Sequence, residues 1–238
     1  MAADQKVLVI IPTYNEIENL PRLVEAIHAQ VPEVHILVVD DGSPDGTGDL
    51  ARSLSEQDER IHLLQRSGKL GLGTAYIAGF KYGLEKGYDI FQQMDCDFSH
   101  RPEDLPKLLA AIREVDLVIG SRYVKGGGTK NWPAKRKVMS RGGSFYARTI
   151  LGLKINDLTG GFKCFRREVL ETIDLDKVQS EGYSFQIETT WRTIQKGFRV
   201  KEVPILFVER EQGYSKMSKD IFMEAVLMCW KLRLGMVN

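Results

Sequence analysis

Short apolar runs alternate with longer helical patterns through the first half of the chain. Five runs are rich in β-branched residues, end in turn residues and predict strands: VLVIIP, HILVVD, RIHLLQ, YDIFQQM and DLVIGS. Helices are predicted between them at 16–30, 47–55, 73–86 and 102–114, the first from the spacing of Leu20, Leu23, Val24 and Ile27. This alternation is typical of βαβ units and a mostly parallel sheet covered on both faces.

The pattern changes after Arg122. The glycine-rich, basic stretch 123–137 predicts a mobile loop, and a helix is predicted at 138–151. Further strands are predicted within LTGGFKCF and FRVKEVPILFVE, with a helix at 185–196 between them. A second mobile basic segment, REQGYSKMSK, precedes a last helix at 220–234. We therefore predict one α/β domain at 1–218, followed by an amphipathic helix at 219–238 that belongs to the same domain or docks on a membrane.

Composition narrows the classes of protein to consider. The 238 residues are 43% hydrophobic and 27% charged, as in soluble globular proteins, and a net charge of +1 does not indicate a nucleic-acid partner. Cys96, Cys164 and Cys229 are too far apart for a zinc pattern or a disulfide framework, which favours a reducing compartment. We expect no signal peptide and no transmembrane segment, because no apolar run reaches about 18 residues.

Four of the predicted strands end in polar signatures: PTYNE, DDGSPDGT, DCD and GSR. Ligands of open α/β sheets bind beyond the carboxyl ends of the strands, so these four segments are expected along one rim. Each alone has an ordinary explanation, since Asn15 with Glu18 resembles a capping box and Asp45-Gly46 suits a turn. Four together favour a ligand site.

The commonest nucleotide motifs are absent from the sequence. No G-x-x-x-x-G-K-[ST] is present, so a P-loop is excluded. GKLGLGTAY has Tyr76 where a dinucleotide fingerprint needs its third glycine, and it follows a basic turn, so it predicts a tight turn into a helix.

Asp95 and Asp97 suggest how acidic loops could accept a diphosphate. Aspartates at alternate positions of an extended chain point the same way, and a divalent cation between them would bridge to phosphates. The same spacing recurs at Asp174 and Asp176, to which we assign no chemistry. The candidates for further positive charge are Arg122, Arg136, Arg210 and Lys216. Arg122 is expected on an exposed loop, whereas Lys135 and Lys137 are interpreted as solvated surface charges.

The motifs together resemble one family. VIIPTYNE, VVDDGSPDGT, DCD, GSRYVKGG, DLTGGFKCFRREVL and REQGYSK are similar to inverting family 2 glycosyltransferases of the GT-A fold, and within them to dolichol-phosphate (polyprenol-phosphate) mannose synthases. The resemblance spans Val7 to about Lys219. It implies a single Rossmann-like domain with a mostly parallel central sheet flanked by helices, and transfer of mannose from GDP-mannose to a polyprenyl (dolichyl) phosphate with Mg²⁺ or Mn²⁺.

The resemblance also implies roles for individual residues. The implied donor-binding residues are Pro12, Tyr14, Glu16, Asp40, Asp41, Asp95, Arg210 and Lys216. Asp97 would be the main metal ligand, with Asp95 beside it. Relatives often carry Gln two residues after the second Asp. Here Ser99 takes that place, so its hydroxyl or a water replaces the amide, or the site is looser.

The acceptor side of the implied site carries Arg122, Arg136 and Asp157. Asp95, Asp97 and Arg122 are the implied catalytic residues. A phosphate oxygen is already ionised near neutral pH, so the acceptor needs orientation rather than a general base. The two aspartates are therefore not interpreted as the acid–base pair of a glycosidase.

Three questions stay open at the level of sequence. The last helix has a broad apolar face with Lys219, Lys231 and Arg233 near it, which suits the cytoplasmic face of a membrane, a small membrane-anchoring subunit or packing on the sheet. RGGSFYARTILGL offers a second such face. The donor could instead be UDP-glucose. A catalytically inactive nucleotide-sugar-binding scaffold is the alternative from another class.

Overall fold

A computed structural model of the chain describes residues 5–178, 180, 182–209 and 219–237. Its larger sheet contains seven strands: β1 (Val7–Thr13), β2 (His35–Asp40), β3 (Ile61–Gln65), β4 (Ile90–Gln93), β5 (Leu117–Ser121), β7 (Lys163–Arg166) and β8 (Val200–Pro204). A second, two-stranded sheet pairs β6 (Gly128–Lys130) with β9 (Leu206–Val208). The strand order of the large sheet is β3-β2-β1-β4-β7-β5-β8.

Eight α-helices lie between or after these strands within the described residues. They are α1 (Leu20–Gln30), α2 (Thr47–Gln57), α3 (Leu72–Glu85), α4 (Leu105–Ala111), α5 (Ala134–Leu151), α6 (Arg167–Thr172), α7 (Gly182–Gln195) and α8 (Lys219–Arg233). Short 3-10 helices lie at Pro102–Asp104 and Leu175–Lys177.

Only β7 interrupts the parallel arrangement of the large sheet. It runs antiparallel to both β4 and β5, and every other strand pair of this sheet is parallel. The prediction of a mostly parallel sheet is confirmed. Because β7 is antiparallel to both of its neighbours, β5 points the same way as β4, and therefore as β1 and β2. The carboxyl ends of these four strands share one edge of the sheet.

Helix α3 lies against the sheet at very short range because it presents glycines to it. A Cβ on Gly79 would lie 2.6 Å from Ile10 Cγ2, and one on Gly83 would lie 2.4 Å from Phe91 Cε1. Real Cβ atoms do not approach this closely, so only glycine fits. These two glycines therefore allow α3 to pack directly on β1 and β4.

The segment after Arg122 differs from its prediction. The stretch predicted as a mobile loop contains the short strand β6. After β8 ends at Pro204 the chain continues as β9, and β6 forms a parallel pair with β9. Helix α5 starts at Ala134 rather than Val138, directly after Pro133, whose fixed φ suits a helix start. The predicted strand FRVKEVPILFVE is two strands in different sheets.

Two further details of the structure differ from the sequence analysis. Helix α6 follows β7 directly and was not predicted, since six residues carry too little periodicity to reveal it. The capping box at Asn15 and Glu18 does not form: Asn15 adopts a left-handed φ of 62°, and α1 begins only at Leu20.

The C-terminal helix α8 packs against α5 and α7. Met228, Cys229 and Leu232 are buried in the core on that side of the sheet, whereas Leu227 and Trp230 are exposed. One face of α8 thus packs on the core, and the other is exposed. In the part of the chain that the structure describes, every helix is too short or too polar to span a bilayer.

Candidate active site

The four polar signatures meet at one edge of the sheet, as predicted from the strand ends. The loops after β1 and β2 are cross-linked: the Asn15 N–H donates to Ser43 Oγ at 3.1 Å, and the Glu16 N–H to Thr47 Oγ1 at 3.0 Å. These bonds fix the backbone that carries the predicted nucleoside-binding residues.

Asp40 organises this part of the rim from inside. Its buried carboxylate accepts hydrogen bonds from Thr13 Oγ1 at 2.9 Å, from Ser43 Oγ at 2.6 Å and from the Ser43 N–H at 3.0 Å. Both carboxylate oxygens are engaged within the protein. Contact of Asp40 with a donor stays a prediction.

Asp41 forms an ion pair that the sequence did not reveal. Arg66, which directly follows β3, places Nη1 2.9 Å from Asp41 Oδ1, and both side chains are nine-tenths buried. Burial raises the pKa of Asp41 although Arg66 opposes the shift. Arg66 also donates to Thr74 Oγ1 at 2.7 Å, which ties the basic turn to the start of α3.

The aromatic ring of Tyr14 is covered by Lys69 from the same basic turn, with Nζ 4.4 Å from the ring centroid. Pro12, Tyr14 and Glu16 are each partly exposed beside it. The predicted donor residues after β1 and β2 are thus gathered at one place. The only sequence signal for Lys69 was the basic turn in GKLGLGTAY.

Asp95 and Asp97 lie just beyond the end of β4. Tyr76 donates a hydrogen bond of 3.0 Å to Asp95 Oδ1. Asp97 Oδ1 accepts a hydrogen bond from the Ser99 N–H at 3.0 Å. Phe98, which lies between these two residues, has a left-handed φ of 57°. The chain therefore turns sharply after the second aspartate, and the first stays anchored to α3.

His100 supports the same turn from the core. It is buried between Phe162, whose ring is stacked at 4.8 Å, and Phe207. Its Nδ1 accepts the Asp95 N–H at 3.0 Å, so this nitrogen carries no proton. Burial lowers the pKa of His100, which agrees with a neutral ring.

The groups at this turn suit a hard divalent cation. Asp95 and Asp97 supply carboxylate oxygens, and Ser99 has a buried hydroxyl with no hydrogen-bond partner in the described part of the chain. Within the described ranges no three His, Cys, Asp or Glu residues gather as a metal cluster. Mg²⁺ at nucleotide sites is commonly held by one or two carboxylates together with phosphate oxygens and water, and Asp95 and Asp97 would be the carboxylates here.

Arg122 is buried, and the expectation of an exposed loop residue was wrong. Its Nε and Nη2 donate to Asp157 Oδ2 and Oδ1 at 2.7 and 2.6 Å, and its N–H donates to Oδ2 at 2.9 Å. Only 5% of the Arg122 side chain and none of Asp157 is exposed. Burial disfavours the charged guanidinium, but Asp157 outweighs this and raises the pKa of Arg122.

Aromatic rings explain the burial of Arg122. The rings of Tyr123, Trp132 and Phe207 lie 5.1 to 5.4 Å from its guanidinium carbon, and the last two come from the segments that carry β6 and β9. The predicted mobile loop instead folds over Arg122. Contact of Arg122 or Asp157 with an acceptor phosphate stays a prediction.

Arg136 lies on the outer side of this aromatic group. Its guanidinium stacks on Trp132 at 4.1 Å and forms an ion pair with Glu209, and it keeps 20% of its side chain exposed. Arg136 is thus a less buried cation than Arg122 on the same side of the rim. Arg210 and Lys216 lie outside the described residues.

Lys163 is a buried cation that the sequence did not single out. Its Nζ donates to the Gln186 carbonyl at 2.5 Å and to Thr190 Oγ1 at 2.8 Å, both on α7. Desolvation lowers its pKa to about 7, only partly opposed by Asp157. Lys163 thus ties β7 to α7 beneath the rim.

Comparison with known proteins identifies the family. The model of the family described as "Glycosyl transferase family 2" matches residues 8–174. The chain belongs to glycosyl transferase family 2. This confirms the resemblance predicted from the strand-end motifs, and the protein is a glycosyltransferase.

Two curated members of this family are similar over nearly the whole chain. An "Undecaprenyl-phosphate mannosyltransferase" of Micrococcus luteus is 55% identical over 93% of this chain and 91% of its own. A "Polyprenol monophosphomannose synthase" of Mycolicibacterium smegmatis is 56% identical over 93% of this chain and 84% of its own.

Solved structures confirm the GT-A fold of this family 2 member. Glucosyl-3-phosphoglycerate synthase from Mycobacterium tuberculosis, in complex with Mn²⁺, UDP and glucosyl-3-phosphoglycerate, superposes with a TM-score of 0.69 at 18% identity, covering 98% of this chain and 81% of that chain. The same enzyme with Mn²⁺, UDP-glucose and phosphoglyceric acid gives a TM-score of 0.70 at 18% identity, with 96% and 81% covered. At this identity the likeness concerns the fold alone.

Proposed function

We propose that this protein transfers mannose from GDP-mannose to the phosphate of a polyprenol, with inversion at the anomeric carbon. The observation that carries this proposal is the pair of relatives, 55% and 56% identical over 93% of the chain, whose names both combine a mannosyl group with a polyprenyl phosphate. The rim agrees with it, because a diphosphate donor needs hard oxygen ligands for a cation together with cationic side chains.

We assign the metal site to Asp95 and Asp97, with Ser99 or a water in support. Mg²⁺ or Mn²⁺ there would neutralise charge on the leaving diphosphate. Asp41, Tyr14 and the loop organised by Asp40 hold the nucleoside in this proposal. Arg66 and Lys69 add the positive charge that an acidic rim needs beside a diphosphate.

On the acceptor side the proposal assigns distinct roles to the two described arginines. Arg136 is partly exposed and contacts the acceptor phosphate. Arg122, paired with Asp157, holds the segment that follows β5 in place. Its guanidinium also adds a positive charge near the acceptor phosphate. A phosphate oxygen is already ionised near neutral pH, so orientation and relief of repulsion supply the catalysis.

The membrane side of the proposal rests on α5 and α8, which pack on each other. Val138 and Phe145 on α5, and Leu227 and Trp230 on α8, are 46 to 71% exposed. The same two helices also carry five exposed cations: Lys135, Lys137, Arg141, Lys231 and Arg233. Apolar side chains among cations suit an anionic membrane surface, here the cytoplasmic face that presents the polyprenyl phosphate. A small anchoring subunit is the other occupant that this surface would fit.

The donor is tested by a transfer assay. Purified protein, Mn²⁺ and a polyprenyl phosphate are incubated with radiolabelled GDP-mannose or UDP-glucose, and the organic-extractable label is counted. We expect label from GDP-mannose only. Label transferred from UDP-glucose instead would show that UDP-glucose is the donor and would overturn the assignment of GDP-mannose. GDP binding without transfer to any polyprenyl phosphate would favour an inactive nucleotide-sugar-binding scaffold.

A further inference from the structure

Tyr76 is buried, and the hydroxyl of its side chain contacts the acidic rim. The residue has no exposed surface, and its hydroxyl donates to Asp95 Oδ1 at 3.0 Å. A third of the Asp95 side chain stays exposed. Tyr76 therefore holds the carboxylate from the buried side and leaves its other side toward the rim. A hydrogen bond from a buried phenol to a carboxylate is charge-assisted and directional.

His100 fixes the backbone of the same residue. Its Nδ1 accepts the Asp95 N–H at 3.0 Å and lies 3.9 Å from Asp95 Oδ2. A nitrogen that accepts this N–H has no proton to donate to the carboxylate. His100 thus holds the backbone of Asp95, whereas Tyr76, which lies on a different element, donates to its carboxylate.

The position of the Tyr76 hydroxyl is set by tight packing on two sides. Its ring lies parallel to that of Phe185 on α7, with centroids 6.0 Å apart and planes 7° apart. A Cβ on Gly73, one turn earlier on α3, would lie 2.7 Å from the Ser180 carbonyl. The glycine lets α3 approach this segment, and Gly79 and Gly83 fix α3 on the sheet. A rigid donor of this kind holds a ligating side chain in one orientation.

We propose that Tyr76 is a positioning residue, whose hydroxyl orients the Asp95 carboxylate for binding of the divalent cation and the nucleoside diphosphate. This inference rests on the proposed function, since it takes Asp95 as part of the donor and metal site. It gives a purpose to the tyrosine that replaces the third glycine in GKLGLGTAY. An ordinary core tyrosine would need its ring but not this particular acceptor.

The test removes the hydroxyl and keeps the ring. Tyr76→Phe in the full chain is titrated with Mn²⁺ at saturating GDP, and free Mn²⁺ is followed by electron paramagnetic resonance. We expect Mn²⁺ affinity to fall about tenfold, as when a residue that orients a metal ligand is lost. The melting temperature should stay close to that of the wild type. Tyr82→Phe is the matched control on the same helix, and its Mn²⁺ affinity should not change.

A second titration shows whether Tyr76 acts through Asp95. In an Asp95→Asn background, Tyr76→Phe should produce no further loss of Mn²⁺ affinity. An equal further loss there, unchanged affinity of the single variant, or a large fall in its melting temperature would each overturn the positioning role. If the wild-type protein binds no Mn²⁺ in the presence of GDP, the proposed function fails together with this inference.

Discussion

At the scale of single residues, the pair of Arg122 and Asp157 matters first for stability. Arg122→Ala leaves the Asp157 carboxylate buried without its partner and should lower the free energy of unfolding by about 3–5 kcal/mol in urea titrations. Arg136→Ala breaks a partly exposed pair with Glu209 and should cost about 1 kcal/mol or less. Equal losses for the two variants would contradict the assigned difference in burial.

Lys163 is a second buried basic residue, and burial disfavours the charged form of its amine. Its pKa is lowered to about 7 in the folded protein, so the folded state binds fewer protons than the unfolded state between about pH 7 and 10. Stability from this group therefore rises with pH across that window. Lys163→Met removes the titrating group and should abolish this rise, which amounts to about 2 kcal/mol between pH 7 and 9. Urea titrations of both proteins at pH 7 and 9 measure it, and a variant that keeps the rise would exclude Lys163 as its source.

At the scale of elements, the glycines of α3 set how closely helix and sheet pack. Gly83→Ala would place a Cβ 2.4 Å from Phe91 Cε1 and should destabilise the protein by about 1–3 kcal/mol, measured by thermal unfolding. Gly142→Ala on α5 is the matched control, because no atom lies within 4 Å of its Cβ position. That change should stabilise by about 0.5–1 kcal/mol, since alanine favours a helix interior. Destabilisation by both would mean that the packing of α3 is not the cause.

The elements also show what the sequence could and could not predict. The positions of β1 to β5 and the edge that their carboxyl ends share follow from local apolar runs and turn residues, and they were predicted correctly. The contacts of Tyr76 with Asp95 and of Arg66 with Asp41 join segments that are 19 and 25 residues apart in sequence, which no local pattern reports. The burial of Arg122 likewise depends on β6 pairing with β9, a contact between segments far apart in sequence.

At the scale of the whole molecule, the four histidines give stability a defined dependence on pH. Burial lowers the pKa of His28, His35, His62 and His100, with the charges of Arg60 and Lys6 assisting at the first two. Below about pH 6.5 the unfolded chain binds more protons than the folded protein. The histidine contribution is therefore complete above that pH and is lost as the pH falls. The melting temperature should be lower at pH 5.5 than at 7.5, and a higher value at 5.5 would contradict the lowered pKa values.

The membrane assignment also belongs to the whole molecule. Trp230→Ser removes an exposed apolar side chain from α8 and should weaken co-sedimentation with phosphatidylglycerol vesicles severalfold, without changing the melting temperature. Vesicles of a neutral phospholipid are the control and should bind the wild-type protein less. Unchanged binding of the variant to anionic vesicles would favour a protein subunit as the partner of this face.

The proposed cation site at the end of β4 is tested most directly by anomalous scattering from crystals grown with GDP and Mn²⁺. We expect one manganese peak about 2 Å from a carboxylate oxygen of Asp97 and close to Asp95. The ion at this peak should also contact the diphosphate of GDP. A nucleotide bound with its manganese elsewhere, or a rim that holds neither, would contradict the proposed site.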